Sequence, residues 1–532
     1  MAAMPSLLGG RTLWTFHGGL HVPDEKALSN AASIALAPLP KRLIIPLQQH
    51  IGASARPVVA VGERVLKGQL IARAEGYVSA NIHASSSGTL VAIKPRPVPH
   101  PSGLSAPCAI IETDGADAWA ELPEPLPHYG QLDPTVILER IRWAGIVGLG
   151  GASFPTSVKL NPSADHPIRT LIINGAECEP YITCDDLLMR ERSGDILAGV
   201  RIMHHLLGVE RVLIGIEDNK PEAIESMRLA LAESDMRSYT EITAIPTLYP
   251  SGGEKQLIRI LTGKEVPTHG IPAQIGIVCQ NVGSAAAVAA AVLEGRPLIA
   301  RVVTVTGRAI AEPRNLEARI GTPMADLIAH CGGYRESPRK LVSGGPMMGF
   351  ELPDTQVPIT KASNCVLALT TAEAPDPGPA LACIRCGRCA EVCPAKLLPQ
   401  QLYWHARAKD LDRVQDYNLF DCIECGCCAQ VCPSHIPLVQ YYRYAKNEVW
   451  AREQEKRKSE TARQRHEAKQ ARLERQERER MARLRQKKEV LEAAPDDTAS
   501  ASEAKQAAIA AARERAAAKK AARAAAEETA TS

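Results

Sequence analysis

The chain of 532 residues is too long for one domain, and its length predicts about three or four. Its net charge of +3 and aromatic content of 4% argue against a nucleic-acid-binding surface. The start of the chain shows no secretory signal, which favours a reducing, cytosolic compartment. The most apolar stretch, residues 276–293, is interrupted by polar residues and predicts a buried strand and helix. Any membrane contact is therefore expected to be peripheral.

Residues 1–125 predict a domain of short strands and turns. Apolar and polar residues alternate over residues 58–72 and 82–93, and glycines interrupt the pattern. This pattern resembles the flattened β-sandwich of lipoyl and biotinyl carrier domains, which implies a barrel-sandwich fold. The segment expected at the hairpin tip, residues 75–80, contains no lysine. We therefore expect a structural domain that is not modified.

Residues 126–297 predict an α/β domain with a parallel sheet. Asp133 followed by a proline is typical of a helix start. Helical stretches then alternate with β-rich runs, which begin at Thr170, Val212, Ile242 and Ile275. This alternation indicates parallel strands covered by helices.

A glycine-rich segment between Gly145 and Lys159 is a candidate phosphate site. Glycines let backbone N–H groups approach a phosphate, and Lys159 could add positive charge. The segment lacks the spacing of a Walker loop, and a tight structural turn would explain it about as well. Polar residues follow the predicted strands, where open α/β sheets bind ligands. They are Asn174, Glu177, Glu179, Tyr249, Glu254 and Asn281.

Residues 298–369 return to β character around one small helix, predicted over residues 324–330. The next region, residues 370–445, contains two copies of the spacing C-x2-C-x2-C-x3-C-P. That spacing holds [4Fe–4S] clusters, and the fourth cysteine of each copy binds the other cluster. One predicted ligand set is Cys383, Cys386, Cys389 and Cys432, and the other is Cys422, Cys425, Cys428 and Cys393.

Zinc ribbons and disulfides fit these cysteines less well, because zinc sites use separated C-x2-C pairs. Cys427 lies inside the second motif but outside the ligand spacing, so we expect it to bind no iron. The segment between the motifs, residues 402–414, predicts helix and favours an all-helical ferredoxin domain. Residues 446–532 are mostly Lys, Arg, Glu, Gln and Ala. They predict a solvated, helical and partly disordered tail, and the alternative is an electrostatic contact with anionic lipid or a partner.

The α/β region resembles the flavin- and NADH-binding subunit of respiratory complex I. The flavin loop of that family, G-x-G-G-x-G-F-P-T-G-x-K, matches at Gly148, Gly150, Gly151, Phe154 and Lys159. Its N-x-D-E-x-E-P segment matches residues 174–180, except that Ala176 replaces the aspartate. The resemblance implies a Rossmann-like flavin domain followed by a β-grasp domain.

The same resemblance divides the site residues between two cofactors. It implies FMN contacts from Asn174, Glu177, Tyr249 and Asn281. It implies contacts on the nicotinamide side from Phe154, Glu179 and Glu254.

The order of all modules, together with the segment 16–26 and the charged tail, resembles the RnfC family of the Rnf (Rsx) ion-translocating electron-transport complexes. It implies FMN, NAD(H) and two [4Fe–4S] clusters. It also implies a peripheral position on the cytoplasmic side of a bacterial inner membrane. Partners would be a ferredoxin-like iron–sulfur subunit and integral membrane subunits.

The predicted function is electron transfer between NAD(H) and ferredoxin in an ion-translocating oxidoreductase complex, without a catalytic acid, base or nucleophile. Two alternatives remain open. The chain could be a cluster-bearing adaptor with a degenerate flavin site, which Ala176 favours. It could also be a soluble NADH diaphorase subunit.

Overall fold

The computed structural model describes residues 3–4, 11–376, 378–492 and 499–528. The chain forms two units, Met1–Glu448 and Val449–Ser532. The first unit contains every sheet and both cysteine motifs. Among the helices of the described residues, none combines the length and apolar character that a membrane crossing requires.

The N-terminal part is built from short strands. They are β1 (Ala3–Met4), β2 (Leu13–Trp14), β3 (Ala35–Leu36), β4 (Arg42–Pro46), β5 (Arg56–Pro57), β6 (Arg64–Val65), β7 (Leu70–Arg73), β8 (Ile82–His83), β9 (Gly88–Pro97) and β10 (Ser105–Thr113). Two antiparallel sheets, in the orders β4-β10-β9-β6 and β5-β7-β8, enclose a shared apolar core. This arrangement is the predicted barrel-sandwich domain.

The segment before this domain is used elsewhere in the molecule. β3 pairs with a strand of the third sheet, which is described below. The ring of Trp14 lies against Gly263 at the end of a helix in the α/β domain. Alternating apolar and polar residues could not reveal either contact, because both depend on chain segments more than 200 residues away.

The α/β domain contains four parallel strands, β11 (Thr170–Gly175), β12 (Arg211–Glu217), β13 (Thr240–Ile245) and β14 (Ile277–Asn281). The runs predicted at Thr170, Val212 and Ile242 are confirmed as strands. The fourth run was predicted from Ile275, but Pro272–Ile275 forms a 3-10 helix and the strand begins two residues later.

The strand order is β13-β12-β11-β14. The chain therefore moves outward from β11 to β13 and then returns to the other side of β11. The strand order reverses between β11 and β14, and open α/β sheets bind ligands outside the strand ends at such a point. Asn174 and Asn281 are paired neighbours at this carboxyl edge.

Seven helices belong to this domain. They are α1 (Pro134–Trp143), α2 (Thr156–Lys159), α3 (Cys184–Glu191), α4 (Ser193–Leu207), α5 (Pro221–Ala232), α6 (Glu254–Thr262) and α7 (Val282–Leu293). The predicted start of α1 is confirmed, since the Asp133 side chain accepts the N–H of Thr135 at 2.8 Å. Leu171 and Ile173 of β11 belong to one core with α4, α5 and α7, whereas Ile172 belongs to a second core with α6. The sheet is therefore covered on both faces, which explains why its strands are continuously apolar.

The third sheet contains β15 (Ala300–Thr306), β16 (Arg314–Arg319), β17 (Lys340–Ser343), β18 (Phe350–Glu351) and β19 (Cys365–Leu369). Its order is β18-β17-β19-β15-β16-β3, so the N-terminal strand β3 completes one edge. The single helix of this region, α8 (Met324–His330), confirms the helix predicted there. Its buried face packs on the sheet through Met324, Leu327 and Ile328.

The cysteine-rich region and the tail are helical. Their helices are α9 (Arg388–Glu391), α10 (Pro399–Arg407), α11 (Leu411–Asp416), α12 (Cys427–Gln430), α13 (Leu438–Glu492) and α14 (Ala499–Glu528). Further 3-10 turns lie at Lys26–Leu28, Tyr129–Gln131, Asp235–Ser238 and Leu419–Asp421. The helix predicted between the motifs is confirmed as α10 and α11.

The charged tail begins as a continuation of the cysteine-rich domain. The first residues of α13 are part of that domain, where Tyr442 is 1% exposed and Lys446 is 8% exposed. From residue 451 to residue 489 every described residue is exposed. This part of the helix therefore has no buried face, as its composition predicts.

Helices α4 and α7 cross at a point where no side chain fits. A Cβ atom added to Gly199 of α4 would overlap the carbonyl group of Ala285 in α7. Gly194 lies on the same helix, and an added Cβ there would meet nothing within 4 Å. The close crossing fixes α7, whose first turn reaches the carboxyl edge of the parallel sheet.

We predict that Gly199→Ala lowers the free energy of unfolding by about 1–3 kcal/mol, because the helices must separate. The matched variant Gly194→Ala should leave it unchanged or raise it by up to about 1 kcal/mol, since alanine favours helix. Calorimetric unfolding of both purified variants checks this. Equal effects at the two positions would contradict the close crossing.

Candidate functional site

The predicted glycine loop is a closed turn beside the carboxyl edge of the sheet. The N–H of Gly148 donates to the carbonyl of Phe154 at 2.9 Å, and the N–H of Ser153 donates to the carbonyl of Gly148 at 3.2 Å. Gly150 and Gly151 are exposed at the tip. Gly151 has a φ of +114°, which strongly favours glycine. Backbone at the loop tip is therefore accessible to a ligand, while half-buried Phe154 lies at the base of the loop.

The loop contacts the start of α7. A Cβ added to Gly150 would lie 3.4 Å from Nδ2 of Asn281. The N–H of Leu149 donates to the hydroxyl of Ser284 at 2.9 Å. Asn281 caps α7 by accepting the N–H of Gly283 at 2.8 Å. The structure thus brings two residues of the predicted FMN set, Gly150 and Asn281, together.

An acidic loop completes this side of the edge. Glu177 has a φ of 47°, and its carboxylate accepts the N–H groups of Asp185 at 2.6 Å and Asp186 at 3.1 Å. The Asp185 carboxylate accepts the side-chain amide of Asn281 at 2.6 Å. Burial raises the pKa of Glu177 to about 8 and also raises the pKa of Asp185. Two carboxyl groups with raised pKa values therefore face the candidate site.

A buried lysine from the N-terminal segment holds the same loop. Lys26 is 4% exposed, and its ammonium donates to the carbonyl oxygens of Glu177 at 2.8 Å, Glu179 at 3.1 Å and Ile182 at 2.6 Å. Burial lowers the pKa of Lys26. The loop carrying two predicted site residues is therefore tied to a segment about 150 residues earlier in the chain.

Lys159 is paired with another predicted site residue. Its ammonium donates to the carboxylate of Glu254 at 2.6 Å and to the carbonyl of Cys279 at 3.1 Å. Burial acts against the charge, but Glu254 keeps the pKa of Lys159 above its usual value. Asn174 donates to the carbonyl of Gly252 at 2.8 Å, which links the ends of two structural segments. Lys159, Glu254 and Asn174 thus line the same edge but already have protein partners.

Glu179 and Tyr249 point toward the cysteine-rich domain. The Glu179 carboxylate accepts the N–H groups of Met347 at 2.7 Å and Met348 at 2.9 Å. Tyr249 is 2% exposed, and its hydroxyl donates to the carbonyl of Cys425 at 2.7 Å. Both contacts lie between the carboxyl edge of the sheet and the second cysteine motif.

Four cysteines line one cavity in the cysteine-rich domain. They are Cys393, Cys422, Cys425 and Cys428. The last cysteine of the first motif thus faces the first three cysteines of the second. Four sulfur donors around one enclosed space suit an iron–sulfur cluster, since cysteine thiolates are the ligands such clusters require.

The other four motif cysteines lie nearer the surface. Cys383, Cys389 and Cys432 are half-buried, and Cys386 is exposed. The segments before Cys383 and after Cys432 are joined, because the hydroxyl of Ser434 donates to the carbonyl of Ala382 at 2.9 Å. Cys427 does not line the cavity of the second set but is buried beside Tyr249.

Family models match four consecutive parts of the chain. They are the RnfC barrel sandwich hybrid domain over residues 14–116, the Nuo51 FMN-binding domain over 141–290, the SLBB domain over 302–351 and the 4Fe-4S dicluster domain over 382–436.

Similar curated proteins are named as the RnfC component of an ion-translocating oxidoreductase complex. The protein from Pseudomonas aeruginosa is 53% identical over 88% of this chain and 60% of its own length. The protein from Vibrio cholerae is 51% identical over 89% of this chain and 61% of its own length. The protein from Yersinia pestis is 49% identical over 87% of this chain and 74% of its own length.

The chain belongs to the RnfC family of ion-translocating oxidoreductase complexes. It spans about 60% of the length of the Pseudomonas and Vibrio relatives. The predicted family is confirmed. FMN and [4Fe–4S] clusters, the predicted cofactors, are confirmed by the FMN-binding and dicluster domains that match this chain. The alternative of an adaptor or a soluble diaphorase is not favoured.

Sequence reasoning missed three residues around the site of this RnfC-family chain. Lys26 and Asp185 hold the acidic loop, and Ser284 holds the glycine loop. Asp185 follows the matched segment 174–180 closely enough to have been considered. Lys26 gave no comparable signal, because its role depends on a contact with a distant part of the chain.

We predict that Cys393→Ala removes the cluster bound mainly by the second motif, although Cys393 belongs to the first. Iron content should fall from about eight to about four atoms per chain. The matched variant Cys427→Ala should keep the full iron content, because Cys427 does not line the cavity. Iron analysis and EPR after anaerobic reconstitution check this. Loss of iron in the Cys427 variant would contradict the ligand assignment.

Proposed function

We propose that this chain is a peripheral electron-transfer subunit of a membrane-bound, ion-translocating ferredoxin:NAD oxidoreductase complex. In that complex it passes electrons between NAD(H), FMN and two [4Fe–4S] clusters. The observation that carries the proposal is the hydrogen bond from Tyr249 to the carbonyl of Cys425. It joins the ligand-binding edge of the sheet to a cysteine that lines the cluster cavity.

The proposed FMN site lies where the sheet order reverses. The exposed backbone of Gly148, Gly150 and Gly151 would approach the flavin phosphate. Asn174, Glu177, Tyr249 and Asn281 would border the flavin, and Phe154, Glu179 and Glu254 would border the nicotinamide of NAD(H). Lys159 would act partly through Glu254, since the two are paired at 2.6 Å.

When bound, a flavin supplies the exchange between two-electron hydride chemistry and one-electron transfer. The chain's residues bind and orient the reactants. Lys26 holds the backbone of the Glu177–Glu179 loop, and Asn281 holds Asp185. No side chain is required to attack a substrate.

The proposed cluster ligands are the two sets predicted from the motif spacing. Cys393, Cys422, Cys425 and Cys428 would hold the cluster near the flavin domain. Cys383, Cys386, Cys389 and Cys432 would hold the cluster near the surface. Electrons would pass between the flavin and the enclosed cluster, and then between the two clusters.

We propose the finer fold assignments as well. The parallel sheet order supports a Rossmann-like flavin domain, and one helix packed on a mixed sheet supports a β-grasp domain. The proposed divisions are 1–125, 126–297, 298–369, 370–445 and 446–532. The proposed partners are a ferredoxin-like iron–sulfur subunit and integral membrane subunits, on the cytoplasmic side of a bacterial inner membrane.

NADH-dependent reduction of a soluble dye by the reconstituted chain tests the proposed function directly. Activity should require FMN, and EPR should show reduction of both clusters by NADH. A chain that carries FMN and clusters but leaves them oxidised in the presence of NADH would contradict the nicotinamide part of the proposal.

We predict that Gly150→Glu abolishes FMN binding, because it places bulk and negative charge where the phosphate would bind. The matched variant Gly130→Glu adds the same side chain where an added Cβ meets nothing within 4 Å, and it should bind FMN normally. Flavin fluorescence titration measures both affinities, and iron analysis verifies that clusters are retained. Unchanged affinity in the Gly150 variant would mean that the loop is only a structural turn.

We predict that truncation after Arg452 leaves cluster content and NADH-dependent dye reduction unchanged, since residues 451–489 have no buried face. The mixed charge of the tail gives only weak attraction to anionic lipid, at most about 1 kcal/mol per unpaired cation. Most of the truncated chain should therefore stay in the membrane fraction when partner subunits are coexpressed. Release to the soluble fraction would identify the tail as the anchor.

A further inference from the structure

The two cysteine motifs share one backbone course but differ in side chains. Arg385 and Glu424 occupy equivalent positions with φ values of 57° and 58°. Gly387 and Gly426 follow with φ values of 82° and 80°. Because these torsions match, the difference between the motifs lies in what surrounds each of them.

The second motif is enclosed by protein. A Cβ added to Gly426 would lie 2.7 Å from the carbonyl oxygen of Met347. The carboxylate of Glu424 is bound by Arg443 at 2.8 Å and Lys446 at 2.7 Å. This motif faces the flavin domain and has no open side for a second protein.

The first motif is open at the equivalent positions. A Cβ added to Gly387 would meet nothing within 4 Å, and Cys386 is exposed. Ile384 is 68% exposed, whereas its counterpart Ile423 is half-buried. A proposed ligand of the first cluster therefore lies at the surface.

An arginine pair flanks this exposed cysteine. Arg385 and Arg388 are both exposed, and neither guanidinium has an ion pair or hydrogen bond within the described part of the chain. Glu391 is the exposed acid on the same short helix. We define the cationic rim by its members, which are Leu381, Ile384, Arg385 and Arg388.

We propose that the cationic rim is the docking face for an acidic one-electron carrier protein with an iron–sulfur centre of its own. This inference rests on the proposed function, because it places the exchange of electrons at the cluster of Cys383, Cys386, Cys389 and Cys432. One electron leaves the reduced centre of the carrier and enters this cluster. No bond forms and no proton moves.

Charge and exposure both support this partner. Unpaired arginines attract an acidic surface and raise the rate of encounter, particularly at low salt. Leu381 is 61% exposed and, with Ile384, gives the rim an apolar centre. Transient electron-transfer complexes use small interfaces, so a rim of this extent is sufficient.

The test follows the oxidation of a dithionite-reduced, desalted acidic ferredoxin by the full-length, reconstituted chain without NAD present. Arg385→Glu/Arg388→Glu should lower the second-order rate constant at least about tenfold at low salt and flatten its salt dependence. Arg385→Gln/Arg388→Gln should give an intermediate rate. Folding of these variants is expected, because Glu424 already occupies the equivalent left-handed position in the second motif.

The matched control is Lys41→Glu/Arg73→Glu, which changes the net charge equally on exposed residues of the barrel-sandwich domain. It should keep the wild-type rate constant. Equal slowing in the control, or an unchanged rate in the rim variant, overturns the proposal. So does a rim-dependent dimer of the chain, or rim-dependent binding to anionic vesicles, if the electron-transfer rate is unaffected.

NADH-dependent dye reduction, measured on the same preparations, keeps this test separate from the proposed function. Rim variants should retain that activity and an iron content of about eight atoms per chain. If the wild-type chain oxidises ferredoxin through the rim but does not react with NADH, the docking face stands and the nicotinamide part of the proposed function fails.

Discussion

The close packing of the segment 344–349 between the flavin domain and the second cysteine motif is the constraint on which the other parts depend. On one side, a Cβ added to Gly345 would overlap the side chain of Glu179. On the other side, the backbone of Met347 leaves no room for a side chain at residue 426. Because only glycine fits at both contacts, three domains meet at backbone distance. A flavin at the sheet edge would consequently lie near the enclosed cluster.

Buried charge maintains this junction. A buried ammonium group is unfavourable unless its hydrogen bonds are satisfied, and Lys26 satisfies its own with three backbone carbonyl groups. The carbonyl groups belong to the loop in which Glu177 adopts a left-handed conformation. A second buried pair, Lys220 and Glu217 at 3.1 Å, lies at the end of the neighbouring strand. The acidic loop is therefore held by charge and hydrogen bonds as well as by apolar packing.

The repeated cysteine motif has two different roles within one domain. Its backbone is repeated, and the last cysteine of the first copy crosses to the cavity of the second. The side chains between the ligands differ according to their surroundings, with Glu424 bound by two cations and Arg385 exposed. A symmetric pair of sites thus acquires a direction, from the flavin domain toward the surface.

The sequence by itself determined the features that depend on local spacing. Cysteine spacing predicted the clusters, the Asp133-Pro134 start predicted α1, and apolar runs predicted three of four parallel strands. These signals are local, because ligand spacing, helix capping and strand burial each involve neighbouring residues. Only the tertiary structure decided that β3 joins the third sheet, that Lys26 holds the acidic loop and that Tyr249 reaches Cys425. Each of these contacts joins residues more than 150 positions apart, and composition and periodicity carry no information about such pairs.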